Sequence, residues 1–413
     1  MRRREADGRL RKTTDRHRGE AGEGRTLEDD SGRTLKRLRM VVAAGLICGL
    51  ALCWRLWISR RLFPLTPVVG WLPAIPFPLD CVLAAFLFIL LGATMAAPRP
   101  RWFPAGFLAL AGALSLWDQM RWQPWFYQYF FMLAAIGFYT RRPDSRNGAA
   151  ALNACRLIVI STYFWGGLQK LNVTFVRQTW PDMSAGIRRL LPNMAGPLDG
   201  FALAAPFVET AVAVGLLFAK TRRAAVMLAV VTHVVILTTL VASGENTVVW
   251  PWNAALILIV WVLFAEPSRT AVRNPFRGTV PEAVVFVLFG LLPALSFAGA
   301  WDSYLSAALY SGNADQAVIY LSAQAIQRLP SEIRPHVWQE SAPYFLDINR
   351  WAFGELNVPV YPEPRVFRKV AERVCAYEGE DASDVRLRIL LKPGLLTGIR
   401  RSEFYDCDHL GGP

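Results

Sequence analysis

Ionisable and amide side chains inside long apolar runs are costly, so each one marks a place where chemistry can be done. Here Lys170 ends an apolar run in STYFWGGLQKLN, and Tyr163 lies within the same run. Glu209 lies near the middle of the next run and His233 near the middle of the one after. Asp118 and Gln128 fall in LWDQMRWQPWFYQYFF, while Trp250, Trp252 and Asn253 belong to GENTVVWPWNAA. A lysine bordering hydrocarbon has its charged form disfavoured, and a neutral amine is a general base. Plainer roles compete with this one. Tryptophans at helix ends form the interfacial aromatic belt, a terminal lysine snorkels to the headgroups, and a histidine on an apolar face bonds a neighbouring helix. Glu209 can pair with Lys170, Arg121 or His233, and Asp118 with Arg121.

Such residues reach hydrocarbon only on long apolar helices. Of 413 residues, 53% are hydrophobic and 19% charged, against about 25% charged in a soluble domain, which excludes an ordinary soluble enzyme. Crossing a bilayer takes about 17–25 apolar residues. Stretches of that kind lie near 40–58, 79–97, 102–118, 123–140, 152–170, 200–219, 223–243, 247–265 and 279–299. The expected fold is therefore an all-α polytopic membrane bundle of about nine transmembrane helices. Residues 1–39, rich in Arg, Glu and Gly with no hydrophobic period, read as a disordered basic tail. Met40 heads the first run, so translation is expected to start at Met1 or near Met40.

The formal net charge of +13 belongs to that tail and to short loops. With the tail in the cytoplasm, the inner loops carry twelve Lys and Arg against seven in the outer loops. That bias orients a membrane protein. No basic–aromatic stripe occurs in a soluble segment, so nucleic acid is not an expected partner. An odd helix count then places residues 300–413 outside as a small α+β domain. Its expected parts are amphipathic helices over Ala314–Leu329 and Val366–Cys375, and a half-buried strand where Val385, Leu387 and Ile389 alternate with Arg386 and Arg388. Cys375 and Cys407 can pair there if the compartment is oxidising. The other four cysteines read as buried hydrophobes.

This topology gathers Asp118, Gln128, Lys170, Asn246 and Asn253 into one layer near the outer leaflet, with Glu209 and His233 deeper. Trp122, Trp125, Trp165, Trp250 and Trp252 would ring a pocket for an amphiphile entering from lipid. A metal is not expected, because the four histidines are scattered and there is no HExxH or CxxC. Nor is there a GxxxxGK[ST] or a GxSxG.

The stretch Tyr163-Phe164-Trp165-Gly166-Gly167-Leu168-Gln169-Lys170-Leu171-Asn172 resembles a motif of the vitamin K-dependent gamma-carboxylases. It is also similar to that of their bacterial relatives, the HTTM (horizontally transferred transmembrane) family, with Tyr-Phe, a small residue, Gly, then Lys-Leu-Asp. His233 followed by Val249-Trp250-Pro251-Trp252 resembles a later span of the same proteins, and the WDQ…QPW…YQY and WPWN segments are similar to DoxX-like bacterial membrane proteins. Asn172 and Phe175 depart from the acidic residue and the Trp of the carboxylases. The resemblance implies a quinol (menaquinone or vitamin K-like) as cofactor and Lys170 as the base that deprotonates it. It also implies a multi-pass protein of the bacterial inner membrane. The outer domain is too small to imply peptide recognition. The alternative is a non-enzymatic assembly or maturation factor whose residues 300–413 hold a protein partner. A transporter finds less support, since no half-to-half symmetry is visible.

Overall fold

The computed structural model describes residues 31–98, 100–141, 144–244, 246–265, 278–339, 342–378 and 384–410. Most of the expected tail lies outside these residues, as do Arg99, Arg142, Glu245, Arg269, Arg273 and Arg277. Among the described residues ten helices build the first part: α1 (31–52), α2 (Leu79–Ala96), α3 (Phe103–Trp117), α4 (Pro124–Arg141), α5 (Ser145–Gln169), α6 (Trp180–Leu190), α7 (Ala195–Leu217), α8 (Arg222–Ser243), α9 (Val249–Phe264) and α10 (Val280–Ala298). The first helix starts at 31 rather than 40 and stops at 52 rather than 58, giving way to a 3-10 turn at Trp54–Trp57.

Each expected span contains a helix, but nine spans are not supported. Among the described residues four helices are long and apolar enough to cross a membrane: α2, Gly196–Leu217 of α7, α8 and α10. The remaining five fall short for visible reasons. At 1.5 Å per residue, α3 and α9 reach only about 22 and 24 Å, less than the roughly 30 Å hydrocarbon core. α1 opens with Arg33, Lys36, Arg37 and Arg39, α4 carries Gln128 and three tyrosines, and α5 carries Asn153 and Arg156. Much of this polarity faces protein. Asn153, Arg156 and Gln128 are buried, Asn153 donates to Glu282 (2.7 Å), and Arg156 donates to the Leu263 carbonyl (3.1 Å). α5 sits at the centre, against α4, α7, α9 and α10. Helix-on-helix contact is close where small residues permit it. A Cβ on Gly45 or Gly49 of α1 would fall 2.4 Å from the Tyr129 hydroxyl or 2.5 Å from the Trp125 ring, so these two glycines form the groove for α4.

Asp118 does not pair with Arg121. It forms an ion pair with Arg61, accepts from the Thr66 hydroxyl (2.9 Å), and caps the short turn Gln119–Arg121. Arg121 instead donates to the Leu56 carbonyl (3.0 Å) and covers the Trp57 ring. These partners come from the loop between α1 and α2, which is thereby held against the end of α3.

The C-terminal part is α+β. Among the described residues its strands form an antiparallel sheet in the order β2–β3–β1–β4–β5: β1 (Gln316–Leu321), β2 (Val337–Trp338), β3 (Tyr344–Asp347), β4 (Val385–Leu390) and β5 (Ser402–Asp406). Helices α11 (Ala323–Arg328), α12 (Ile348–Leu356) and α13 (Pro364–Glu378) complete it. The expected strand at 385–389 is β4, with Val385, Leu387 and Ile389 inward, and the expected helix at 366–375 is the core of α13. The helix expected over Ala314–Leu329 is a strand followed by one short helix. Its first half, QAVIYL, alternates buried and less buried positions, as β-branched and aromatic residues favour, and Ser322 then caps α11.

Cys375 and Cys407 form a disulfide between α13 and the end of β5, with a sequence separation of 32. A loop of that length is worth about 3–4 kcal/mol by unfolded-chain entropy. Cys375→Ser is therefore expected to lower the melting temperature of this part in non-reducing buffer, and reductant should do the same to the wild type only.

This part docks on one end of the bundle. Glu355 accepts from the Leu62 and Phe63 amides (2.6 and 2.8 Å) and from the Trp351 indole (3.0 Å). Gln123 donates to the Pro359 carbonyl (3.1 Å), and Asp302 accepts from Gln119 (3.1 Å), Tyr361 (2.8 Å) and Arg365. Glu363 accepts from the Ser303 amide (2.8 Å), and burial pushes its carboxyl up from the ordinary value of 4.5. A carboxyl raised in the folded state keeps a proton that the unfolded chain has lost, so its contribution to stability falls as pH rises through that window. Glu363→Gln is expected to make the stability of the docked domain less dependent on pH just above 4.5, read by thermal melts.

Candidate functional site

Beneath the docked domain, α4, α5, α7, α8 and α9 enclose a cavity with about 130 Å³ open to the centre of a water-sized sphere. One water needs roughly 10–15 Å³ by that measure, so the space suits a ring-sized ligand. Its wall is mostly apolar, with Trp165, Phe175, Trp180, Phe201, Trp252 and Phe289 among the lining residues.

Lys170 caps the C-terminus of α5, and its Nζ donates to the Gly166 carbonyl (3.1 Å) and to Glu209 Oε2 of α7 (2.8 Å). Both side chains are largely buried, and both line the cavity. The carboxylate offsets the penalty that a lone buried ammonium would carry. Of the partners open to Glu209 in the sequence, Lys170 is the one it takes. Lys170 has used two of its three N–H donors, and Glu209 Oε2 only, so the pair retains donor and acceptor capacity.

Tyr163, His233 and Asn253 also line the cavity and form a chain across α5, α8 and α9. Asn253 donates through Nδ2 to the Val249 carbonyl (2.8 Å), which leaves Oδ1 facing His233 Nδ1 at 2.8 Å. Nδ1 must then carry the imidazole proton, and Nε2 accepts from the Tyr163 hydroxyl at 2.5 Å. Tyr163→Phe would leave Nε2 without its donor. The expected cost is about 1–2 kcal/mol, measurable as a lower melting temperature in a fixed detergent.

Gln128 and Trp252 line the same space and hold one another, the Trp252 indole donating to Gln128 Oε1 (2.6 Å). Thus Lys170, Glu209, His233, Tyr163, Gln128, Trp252 and Asn253 converge. Two expected residues do not. Asp118 is fully buried in its own ion pair, and Trp250, two residues from Trp252 and so about 200° away around α9, packs against the core. Of the five tryptophans expected around the pocket, Trp165 and Trp252 line it. Trp125 is buried against α1, and Trp122 packs on Phe126, Tyr127 and Phe130.

The comparisons end without a relative. No family model, curated protein or solved structure matches the chain.

Two contributions to the cavity were missed in the sequence. The segment after α10 roofs it through Tyr304, Leu305, Leu309 and Tyr310, and α6 closes one side through Trp180 and Met183. Residues flanking Lys170 bolt the roof on. Gln169 accepts from Asn313 (2.7 Å) and donates to Ser296 (2.8 Å), while Asn172 donates to the Ser311 and Gln169 carbonyls (both 2.8 Å) and accepts from the Phe175 amide (2.8 Å). Aromatic Tyr304 and Tyr310 directly after the last apolar run were the available signal. Among the described residues no group of three or more His, Cys, Asp or Glu is placed to hold a metal.

Proposed function

We propose that this chain is a membrane enzyme of the gamma-carboxylase-like HTTM type that uses a quinol in the cavity beneath the docked domain. The carrying observation is that an ion pair with unused hydrogen-bonding capacity, Lys170–Glu209, opens on an aromatic cavity beside an oriented Tyr163–His233–Asn253 chain. A menaquinol or vitamin K-like quinol would supply an acidic ring hydroxyl and reducing equivalents. Glu209 Oε1 would accept a hydrogen bond from that hydroxyl and take up its proton, and the third N–H of Lys170 would stabilise negative charge developing on the ring oxygen. Trp165 and Trp252 offer faces for the ring, while the roof from Tyr304 to Tyr310 keeps water from the exchange.

The same reading places the protein in the bacterial inner membrane with the N-terminus in the cytoplasm. The disulfide supports an oxidising compartment for the docked domain, and that domain lies at the end of the bundle that carries the site. The assembly-factor alternative draws on exposed Leu396 and Ile399 in that domain as a surface for a protein partner. These residues adjoin Val173, whose amide donates to the Leu395 carbonyl (2.9 Å), so contact with the lipid surface accounts for them equally.

The test is oxygen-dependent consumption of reduced menaquinone or vitamin K by the full chain reconstituted in liposomes. Consumption that saturates with quinol and is absent from empty liposomes is expected. Wild-type protein that neither binds nor consumes either quinol would contradict the reading.

A further inference from the structure

At the end of the bundle away from the docked domain lies a second cavity, of about 410 Å³. Chain direction fixes its location: the start of α1, the end of α2, the start of α3 and the end of α4 meet there. On α1 it is lined by Gly32, Leu35, Lys36 and Arg39, a spacing of i, i+3, i+4 and i+7 that sets all four on one helical face. Arg101 approaches from the loop before α3. Among the described residues the lining holds three cations and no carboxylate.

Arg39 decides what the cavity lacks. It is only 4% exposed, and its Nε is buried with no hydrogen-bond partner. Among the described residues its guanidinium reaches the Ala97 carbonyl only through Nη2, at a long 3.4 Å. A buried guanidinium needs an anion, and the planar fork of Arg matches phosphate oxygens two at a time. Basic cavities between helices at a membrane surface are suited to anionic lipid headgroups. Leu35 and Ile136 give the cavity an apolar flank against which an acyl chain can lie.

We propose that this cavity is a binding site for an anionic phosphate group, held by Arg39 with Lys36 and Arg101 at its mouth, and that the phosphate belongs to a lipid headgroup. The site is independent of the quinol cavity at the other end. Binding completes the hydrogen bonds of Arg39 and ties α1 to α2, α3 and α4.

The experiment uses the full chain in detergent, titrated with phosphatidylglycerol or with phosphatidylcholine, the bound lipid being counted by native mass spectrometry. Preferential retention of phosphatidylglycerol is expected, weakened about tenfold by Arg39→Gln, the loss of one charge-assisted hydrogen-bonding group, and several-fold by Arg101→Gln. Arg223→Gln, an exposed cation at the same end, should leave it unchanged. An excess of inorganic phosphate that displaces the lipid headgroup would confirm the phosphate site but assign it to a free anion. Retention that is equal for both lipids, or that falls equally in Arg223→Gln, would overturn the proposal. Should Arg39→Gln fail to fold, the exposed Arg101 variant carries the same comparison.

Discussion

Lys170→Met is expected to reduce quinol consumption by at least about 100-fold, the lower range for a lost donor that stabilises developing negative charge, and to destabilise the bundle. The instability has its own origin, because Glu209 would be left buried without its counter-charge at a cost of about 3–5 kcal/mol. The two effects separate in the double variant Lys170→Met/Glu209→Gln. Removing both charges should bring the melting temperature back close to wild type, whereas turnover should stay lost. An ion pair that merely fastens α5 to α7 would behave otherwise, with stability and turnover recovering together. Glu209→Gln alone should lose turnover to a similar extent, since it removes the acceptor side of the pair while Lys170 keeps the Gly166 carbonyl.

Gly167→Ala is expected to be nearly as damaging without touching either charge. A Cβ there would lie 2.5 Å from the Thr210 hydroxyl, 2.7 Å from the Pro206 carbonyl oxygen and 2.9 Å from the Thr210 amide. Two of these three atoms are backbone, so no side-chain rotation relieves the clash and α7 must move off α5. Overpacking of this kind costs about 1–3 kcal/mol. Glu209 precedes Thr210 on the displaced helix, so its distance of 2.8 Å to Lys170 must lengthen, and a misplacement near 1 Å costs about 100-fold in rate. Gly200→Ala in the same α7 meets nothing within 4 Å and should leave both stability and turnover unchanged.

The site residues that the sequence revealed share one property: each is polar inside an apolar run. Glu209 and His233 have no apolar reason to lie within α7 and α8, and Lys170 closes α5 beside a glycine pair that lets α7 approach. Asp118 looked the same in sequence and proved different, because its partner Arg61 sits across α2 and α3 and only the folded loop unites them. Trp250 and Trp252 illustrate a related limit. The repeat WPW offers two aromatic faces, and the helical turn of α9 aims only the second into the cavity. The roof was hidden because Tyr304 and Tyr310 belong to a segment with no period of its own, fixed by Gln169 and Asn172 rather than by local preference. For the fold, β4 and α13 were legible from alternation and from an amphipathic stripe. Gln316–Leu321 was not, since six residues with mixed spacing permit either reading until β3 and β4 pair with it. The nine expected spans show a different difficulty. An apolar run such as 152–170 reads as a span in sequence, whereas the folded α5 buries its polar residues Asn153 and Arg156 against other helices and leaves α2 and α8 as long helices with exposed apolar surface.

The central claim is that the cavity between α5, α7, α8 and α9 holds the quinol ring. Photolabelling the full chain in liposomes with an azido-substituted quinone, then mapping the adducts by mass spectrometry, tests it most directly. Adducts on cavity-lining residues such as Trp165, Trp252 or Tyr310, suppressed by excess unlabelled quinone and diminished in Gly167→Ala, are the predicted result. Adducts confined to the exposed apolar surfaces of α2 and α8, or labelling that excess quinone does not suppress, would contradict it.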